Sequence, residues 1–283
     1  MNLSALKDLT RIEQTLFGLP FLLAGALLPI TQADVSFSFR WLWIFPAFML
    51  ARVSGMAFNQ LIDRHIDAKN PRTQRRALPS GRVTENQARA IAWSTLALFL
   101  LVCFKINTLC FLIAPLAAFL LFIYSYLKRV TSSCHFVLGI IHFLGPVMAS
   151  IAIAGTILFP VLFLGAAAAL SIIGNDIVYA IQDYEFDRTH NLFSLPSRLG
   201  IESSFMVARL LHILCLAMLI GLGFSAHFPV FYYGAIIAAG VVFYKFHKKI
   251  GQKLSEPFFF SCNVVVAFTV FAFVLASVLW DAM

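Results

Sequence analysis

The chain has 283 residues, of which 60% are hydrophobic and only 12% charged, with 30 phenylalanines and a mean hydropathy of +0.87. That composition excludes a soluble globular domain and a disordered chain, and it indicates an all-α polytopic membrane protein. The formal net charge of +8 has no soluble basic domain to sit on, which argues against nucleic acid as a partner.

In chain order, Met1 to Asp8 leads into an apolar stretch without a small-residue cleavage site, so no signal peptide is expected and the first span is retained. Runs long enough to cross roughly 30 Å of hydrocarbon fall at about 12–30, 41–60, 87–104, 108–127, 134–156, 159–182, 204–224, 229–246 and 258–280. They predict about nine transmembrane helices. Phe104 to Thr108 and Leu158 to Pro160 must then serve as very tight turns. The connection between spans two and three, about 25 residues and rich in polar groups, reads as a partly folded functional lid. Thr84-Glu85-Asn86-Gln87 at its exit carries the capping-box pattern that starts a helix. Cys103, Cys110, Cys134, Cys215 and Cys262 fall singly within apolar runs, so neither zinc nor disulfides are expected.

Basic residues alternate between the two sides. Lys7 and Arg11 precede span one; Arg64, Lys69, Arg72, Arg75, Arg76 and Arg82 follow span two; Lys128 and Arg129 follow span four. Arg188 and Arg198 follow span six, and Lys245, Lys248, Lys249 and Lys253 follow span eight, whereas the opposite side has only Arg40 and Lys105. The positive-inside rule therefore puts the N-terminus, the basic loops and the acidic residues beside them, Asp63, Asp67, Asp183 and Asp187, in the cytoplasm.

Acidic residues are few and placed. Of thirteen, Asp63, Asp67, Asp176, Asp183, Glu185 and Asp187 lie in two short windows, the ends of spans two and six. In a helix, four-residue spacing stacks Asn59, Asp63 and Asp67 on one face, turning only about 40° per step, and pairs Asp183 with Asp187. Glu185 is out of phase and is expected to face a neighbouring basic loop. Related sequences follow both clusters: Asn70 and Leu78-Pro79-Ser80-Gly81 after the first, Asn191, Leu195-Pro196-Ser197 and Gly200 after the second. The chain thus reads as one domain, 1–283, built from two parallel four-helix repeats, about 12–127 and 134–246, with an extra helix at about 258–280.

Two facing carboxylate surfaces suit magnesium and a diphosphate, because hard oxygens bind the metal and the metal neutralises a leaving phosphate. Arg72, Lys128, Arg129 and Arg188 lie at the same membrane depth and can complete the charge balance. Arg52 sits seven residues before Asn59, roughly 10 Å deeper on the same face, where an ionised side chain is costly and usually functional. It suits the carboxylate of an acidic acceptor, or else pairs with a helix carbonyl or a clustered acid. Asp176, seven residues before Asp183, can take a phenolic proton from that acceptor or balance Arg52. Tyr124, Tyr126 and Tyr179 can offer ring faces to a carbocation, the alternative being interfacial or core tyrosines. His135 and His142 share a face but lack a third ligand, and read as packing or cavity-lining groups.

These residues resemble the UbiA-type intramembrane prenyltransferases over nearly the whole chain. Asn59-x3-Asp63-x3-Asp67 is similar to the first aspartate-rich motif, Asn70-Pro71-Arg72-Thr73 with Leu78-Pro79-Ser80-Gly81 to the loop after it, Tyr124 to Thr131 to the basic segment after helix four, and Tyr179-x3-Asp183-x3-Asp187 to the second motif. The resemblance implies a nine-helix bundle with a lipid-open cavity and magnesium-dependent transfer of an isoprenoid chain. It implies Asn59, Asp63, Asp67, Asp183 and Asp187 as magnesium and diphosphate residues, with Arg72 and Lys128 on the diphosphate. Many members have Asn-Asp where this chain has Asn59-Gln60, one carboxylate fewer. Gln182 to Asp187 most resembles the 4-hydroxybenzoate polyprenyltransferase branch of quinone biosynthesis. The implied substrates are a polyprenyl diphosphate and an aromatic acid, in the bilayer of the cell's inner (plasma) membrane, with a hydroxynaphthoate precursor of menaquinone as alternative acceptor. Two other classes fit less well. A transporter would hold its acids near the midplane on discontinuous helices, and a phosphoalcohol transferase would show Asp-x2-Asp-Gly spacing.

Overall fold

A computed structural model describes residues 3–36, 38–248 and 256–282. Among the described residues there is no strand, and nine helices are long and apolar enough to cross a membrane. The elements are α1 (Leu3–Thr10), α2 (Thr15–Gln32), α3 (Trp41–Asp67), α4 (Glu85–Ile106), α5 (Thr108–Leu127), α6 (Cys134–Ala154), α7 (Phe159–Ala180), α8 (Tyr184–Thr189), α9 (Leu195–Leu199), α10 (Ile201–Ser225), α11 (Gly234–Lys248) and α12 (Glu256–Asp281). Lys249 and Lys253, part of the basic stretch expected after span eight, lie outside the described residues.

The first predicted tight turn is present, and the second falls earlier than expected, at 155–158, with Phe159 and Pro160 already in α7; each has a local cause. Asn107 alone separates α4 from α5: its backbone is extended, its Oδ1 accepts the Cys110 N–H at 2.8 Å, and its Nδ2 donates to the Ile151 carbonyl at 2.9 Å. One side chain thereby caps a new helix and ties the turn to α6. Between α6 and α7, Gly155 takes a left-handed conformation (φ 73°) at the helix end, and Pro160 opens the next helix.

The span that carries the first motif is longer than hydropathy alone predicts. Helix α3 does not stop near residue 60 but continues through Asp67, where Thr73 Oγ1 donates to the Asp67 carbonyl at 3.1 Å. A 27-residue helix rises about 40 Å, so its last turns stand clear of the hydrocarbon and carry the whole first motif. The second motif departs from a simple helical pair. Helix α7 ends at Ala180, a 3₁₀ turn covers Ile181–Asp183, and α8 resumes at Tyr184. Asp183 and Asp187 therefore straddle a change of helix type, the kind of break that tightens a functional segment.

The 68–84 loop is a series of turns covered by α1, whose Ala5 and Leu9 pack on Ala77, Leu78, Val83 and Ala88. The capping box of α4 forms as expected: Gln87 N–H donates to Thr84 Oγ1 at 3.2 Å and Thr84 N–H to Gln87 Oε1 at 3.1 Å. Thr84→Ala is expected to cost about 1 kcal/mol, read as a lowered thermal midpoint in detergent. The short helices α1 and α9 carry no strong hydropathy signal, and α9 rests on its own capping box between Ser194 and Ser197.

In the bundle α3 packs on α4, α6 on α7, α7 on α10, and α2 against α6, while α12 bridges α2 and α11. Helices α2 and α3 touch only marginally, which leaves room for an interior cavity. Leu101, Phe104, Leu112, Phe119, Phe224 and Ile237 are exposed on the outside, where hydrocarbon and not water is the matching solvent.

Candidate functional site

A cavity of about 610 Å³ runs through the bundle. Its polar end is lined by Arg52, Asn59, Arg76, Tyr124, Asp176 and Tyr179, and its apolar depth by Ile44, Phe99, Cys103, Ile106, Cys110 and Ala152. That division matches a molecule with a charged head and a long hydrocarbon tail.

The four motif aspartates gather beside the polar end, with Asp63 8%, Asp67 6%, Asp183 6% and Asp187 1% exposed. Each has its own cation, and all four cations come from loops or helix ends elsewhere in the chain. Arg72 forks onto Asp183, with Nε donating to Oδ1 at 3.0 Å and Nη2 to Oδ2 at 2.5 Å, while Asn70 Nδ2 donates to Oδ1 at 2.9 Å. Arg76 Nη1 donates to Asp67 Oδ2 at 2.9 Å. Arg129 lies 3.4 Å from Asp63 and also donates to the Ile62 carbonyl, and Asn59 Nδ2 donates to Asp63 Oδ2 at 3.0 Å. Lys128 Nζ stands 3.2 Å from Asp187. Buried carboxylates need such partners, since an isolated charge in this environment is costly.

Among the described residues no three His, Cys, Asp or Glu side chains converge as a closed metal cage. The donor set nevertheless fits a hard divalent cation. Asn59, Asp63, Asp67, Asp183 and Asp187 offer only oxygen acceptors besides one amide nitrogen. Moreover, among the described residues both oxygens of the buried Asp187 carboxylate lack a hydrogen bond, and the Lys128 ammonium is its one ionic neighbour. Acceptors left bare inside a fold are what a bound cation satisfies.

The other predicted residues divide. Arg52 reaches the cavity and bonds none of the clustered acids: Nη2 donates to Gln14 Oε1 at 2.9 Å and to the Arg11 carbonyl at 3.5 Å, and its Nε is buried without a partner. Arg11 is left-handed (φ 46°), turning the chain between α1 and α2 so that Gln14 faces Arg52. Asp176 also lines the cavity and pairs with His135, not with Arg52. Tyr124 and Tyr179 lie on the wall, and the Tyr179 hydroxyl accepts from Arg72 Nη1 at 2.7 Å. Tyr126 is turned outward beneath the Arg129 guanidinium. Arg188 is not brought to the cluster: α8 directs it outward, where it bonds the Tyr184 hydroxyl at 3.0 Å and lies over that ring. Glu185 is exposed and makes no ion pair among the described residues, so the expected basic neighbour is absent from them. Gln60 accounts for the missing carboxylate of the first motif. It is fully buried on another face of α3 and donates to the Asp8 and Leu9 carbonyls of α1 at 2.8 and 3.1 Å. An aspartate there would face two carbonyl oxygens and not the cluster.

Sequence reasoning did not assign site roles to Asn70, Arg76, Gln14 or Ser125, whose Oγ accepts from Asn59 Nδ2 at 3.2 Å. Asn70 carried a signal, its recurrence as Asn191 after the second cluster; the others have no periodicity to mark them. A buried amide pair, Asn175 and Asn263 at 2.5 Å, adds polar lining between α7 and α12.

Comparisons with known proteins bear on the family and the fold. The family model described as the UbiA prenyltransferase family matches residues 18–264. The 4-hydroxybenzoate octaprenyltransferase of Vibrio vulnificus is 34% identical over 197 residues, 69% of this chain and 68% of its own. That of Citrobacter koseri is 29% identical over 222 residues, 77% and 76% of the two chains. The apo UbiA homolog from Aeropyrum pernix K1 superposes with a TM-score of 0.83 at 27% identity, covering 96% of this chain and 99% of that one. A UbiA homolog from Archaeoglobus fulgidus bound to DMAPP and Mg2+ shares the fold, with a TM-score of 0.76 at 18% identity over 96% and 98% of the chains. The matched segment takes in both aspartate clusters and eight of the nine long helices whole or nearly so, which sets the transporter reading aside: the chain belongs to the UbiA prenyltransferase family and is an integral-membrane enzyme.

Proposed function

We propose that this enzyme transfers a polyprenyl chain from polyprenyl diphosphate to an aromatic acid, 4-hydroxybenzoate, with magnesium. The observation that carries the reading is the matching of four buried carboxylates with four cations at the polar mouth of an apolar cavity. The relatives named for that acceptor support it. The basic loops orient the clusters to the cytoplasm, in the inner membrane, where they close equivalent ends of the two four-helix repeats.

Asn59, Asp63, Asp67, Asp183 and Asp187 would hold magnesium, which when bound neutralises charge on the diphosphate leaving group. Arg72, Lys128 and Arg129 already reach the clusters, and in this reading a change of side-chain torsions moves them from carboxylate to phosphate oxygens. Arg76, on Asp67, can do the same, whereas Arg188 takes no part. The C1–O bond of the prenyl diphosphate breaks with its electron pair going to the phosphate oxygen. The aromatic carbon next to the hydroxyl then bonds C1, and loss of its proton restores aromaticity. The Tyr124 and Tyr179 rings flank the developing cation, and the apolar wall keeps water from it.

Arg52, with its bare Nε, suits the acceptor carboxylate. Arg52→Leu is expected to raise the acceptor KM by ~10–100-fold, the worth of about 1.5–3 kcal/mol for a charged hydrogen bond, with the KM for prenyl diphosphate unchanged; equal effects on both substrates would refute the role. The reaction itself is tested on membranes given magnesium, a labelled polyprenyl diphosphate and a panel of aromatic acids. Label is expected on 4-hydroxybenzoate and not after chelation. Label on a hydroxynaphthoate alone overturns the acceptor, and label on no aromatic acid overturns the reading.

A further inference from the structure

Two helical turns below each cluster the cavity carries one charge of each sign. Arg52 lies seven residues before Asn59 on α3, and Asp176 seven before Asp183 on α7. They form no ion pair with each other among the described residues; each is held from behind by another side chain, Arg52 by Gln14 and Asp176 by His135. A para-hydroxy acid has the complementary layout, a carboxylate at one end and an ionisable hydroxyl at the other.

The His135 contact has a defined polarity. Nδ1 lies 2.6 Å from Asp176 Oδ2, and the Leu195 backbone N–H donates to Nε2 at 3.2 Å. A ring nitrogen that accepts an amide proton carries none of its own, so the proton resides on Nδ1 and is donated to the carboxylate. His135 is 3% exposed, whereas 25% of the Asp176 side chain is open. The imidazole therefore occupies one carboxylate oxygen, and Oδ1 has no hydrogen bond among the described residues. Among the described residues only Glu13 and Asp176 bring carboxylates to the cavity lining, and Glu13 is engaged by Arg11 at 3.5 Å. The motif aspartates are not in that lining, so Asp176 is the lining carboxylate available to a hydroxyl.

Building on the aromatic-acid reading above, we propose that Asp176 is the base that takes the acceptor's phenolic proton, with His135 as the positioning residue that fixes its carboxylate. The O–H electrons stay on the phenolic oxygen and enrich the neighbouring ring carbon, which bonds C1 of the prenyl chain once the C1–O bond has broken. The ring proton then leaves to the freed diphosphate, the ring oxygen recovers its proton from Asp176, and the carboxylate ends as it began. Relative to a serine-protease triad the roles are reversed: the carboxylate acts and the imidazole orients it.

The test uses the purified full-length enzyme with magnesium and prenyl diphosphate. Asp176→Asn is expected to lower kcat with 4-hydroxybenzoate by about 10²-fold, the usual worth of a positioned base. The KM for prenyl diphosphate and the slow magnesium-dependent hydrolysis of that substrate should persist. An acceptor fluorinated beside the hydroxyl, whose phenol ionises more readily, should recover most of the lost rate. An unchanged kcat, or equal loss with both acceptors, overturns the base. His135→Asn keeps a donor near the Nδ1 position and His135→Gln keeps only a group near Nε2, so the Asn variant should retain kcat and the Gln variant lose it. The opposite order overturns the positioning role, and does so even if Asp176→Asn fails to fold. Wild-type enzyme that hydrolyses prenyl diphosphate but labels no aromatic acid would instead refute the acceptor reading.

Discussion

Replacing Asp183 with alanine is expected to reduce magnesium-dependent prenyl transfer by about 10³-fold or more, the scale seen when a preorganised charge-stabilising group is removed. Asp183 does three things at once. In the proposed reading it would offer its carboxylate to magnesium, and in the fold it anchors the 68–84 loop through the Arg72 fork and fixes Asn70. Alanine leaves the Arg72 guanidinium, 23% exposed, without its carboxylate. Breaking a buried pair from one side costs about 3–5 kcal/mol, less here because solvent reaches the arginine. Asp183→Asn separates the two effects: it keeps the shape and one acceptor oxygen, so folding should suffer less while transfer is still lost. Activity and thermal midpoint should be measured on both variants. Transfer at the wild-type rate in either one would remove Asp183 from the site.

The largest stability effect is expected from Gly25→Val. Helix α2 crosses α6 so closely at this point that a Cβ on residue 25 would lie 2.3 Å from the Pro146 carbonyl oxygen and 2.6 Å from its Cα. The obstacle is backbone, and no side chain can rotate away to relieve it. Small residues let membrane helices approach to such distances, and packing at those contacts drives their association. Even one excess carbon in a packed interior costs about 1–3 kcal/mol, and valine adds three at a contact that tolerates none. The two helices would have to separate beside the cavity wall, since Gly18, Pro146 and Ala149 belong to its lining. The expected outcome is loss of folded protein on detergent extraction or a much lower thermal midpoint, with Gly240→Ala, whose nearest neighbour is 3.6 Å away, as the tolerated control. Equal midpoints for the two variants would contradict this packing.

Hydropathy located every long helix because a membrane span is a local property: its residues must be apolar in sequence, and its backbone bonds close within the segment. Capping was legible for the same reason, Thr84 and Gln87 being neighbours within one turn. Hydropathy failed at the end of α3, where polar motif residues leave the apolar window while the backbone stays helical. It also could not show that Asp183 ends a 3₁₀ turn while Asp187 lies in α8, or that α1 closes over the first loop, since these depend on what packs against the segment.

For the site, spacing alone singled out Asn59, Asp63, Asp67, Asp183 and Asp187 as two acidic faces, and depth alone singled out Arg52 and Asp176. The partners were a different matter. Arg72 meets Asp183 across 111 residues of chain, Arg129 meets Asp63 across 66, and His135 meets Asp176 across 41. Arg188, close to Asp187 in sequence and at the right depth, turns to Tyr184 instead. By itself the sequence determined the membrane class, the helices and the carboxylates, because periodicity and hydropathy act within a turn or a span. Only the tertiary structure decided which cation meets which acid, that Gln60 serves α1 and that His135 stands behind Asp176. Those pairings follow from the approach of distant helices, which no local pattern encodes.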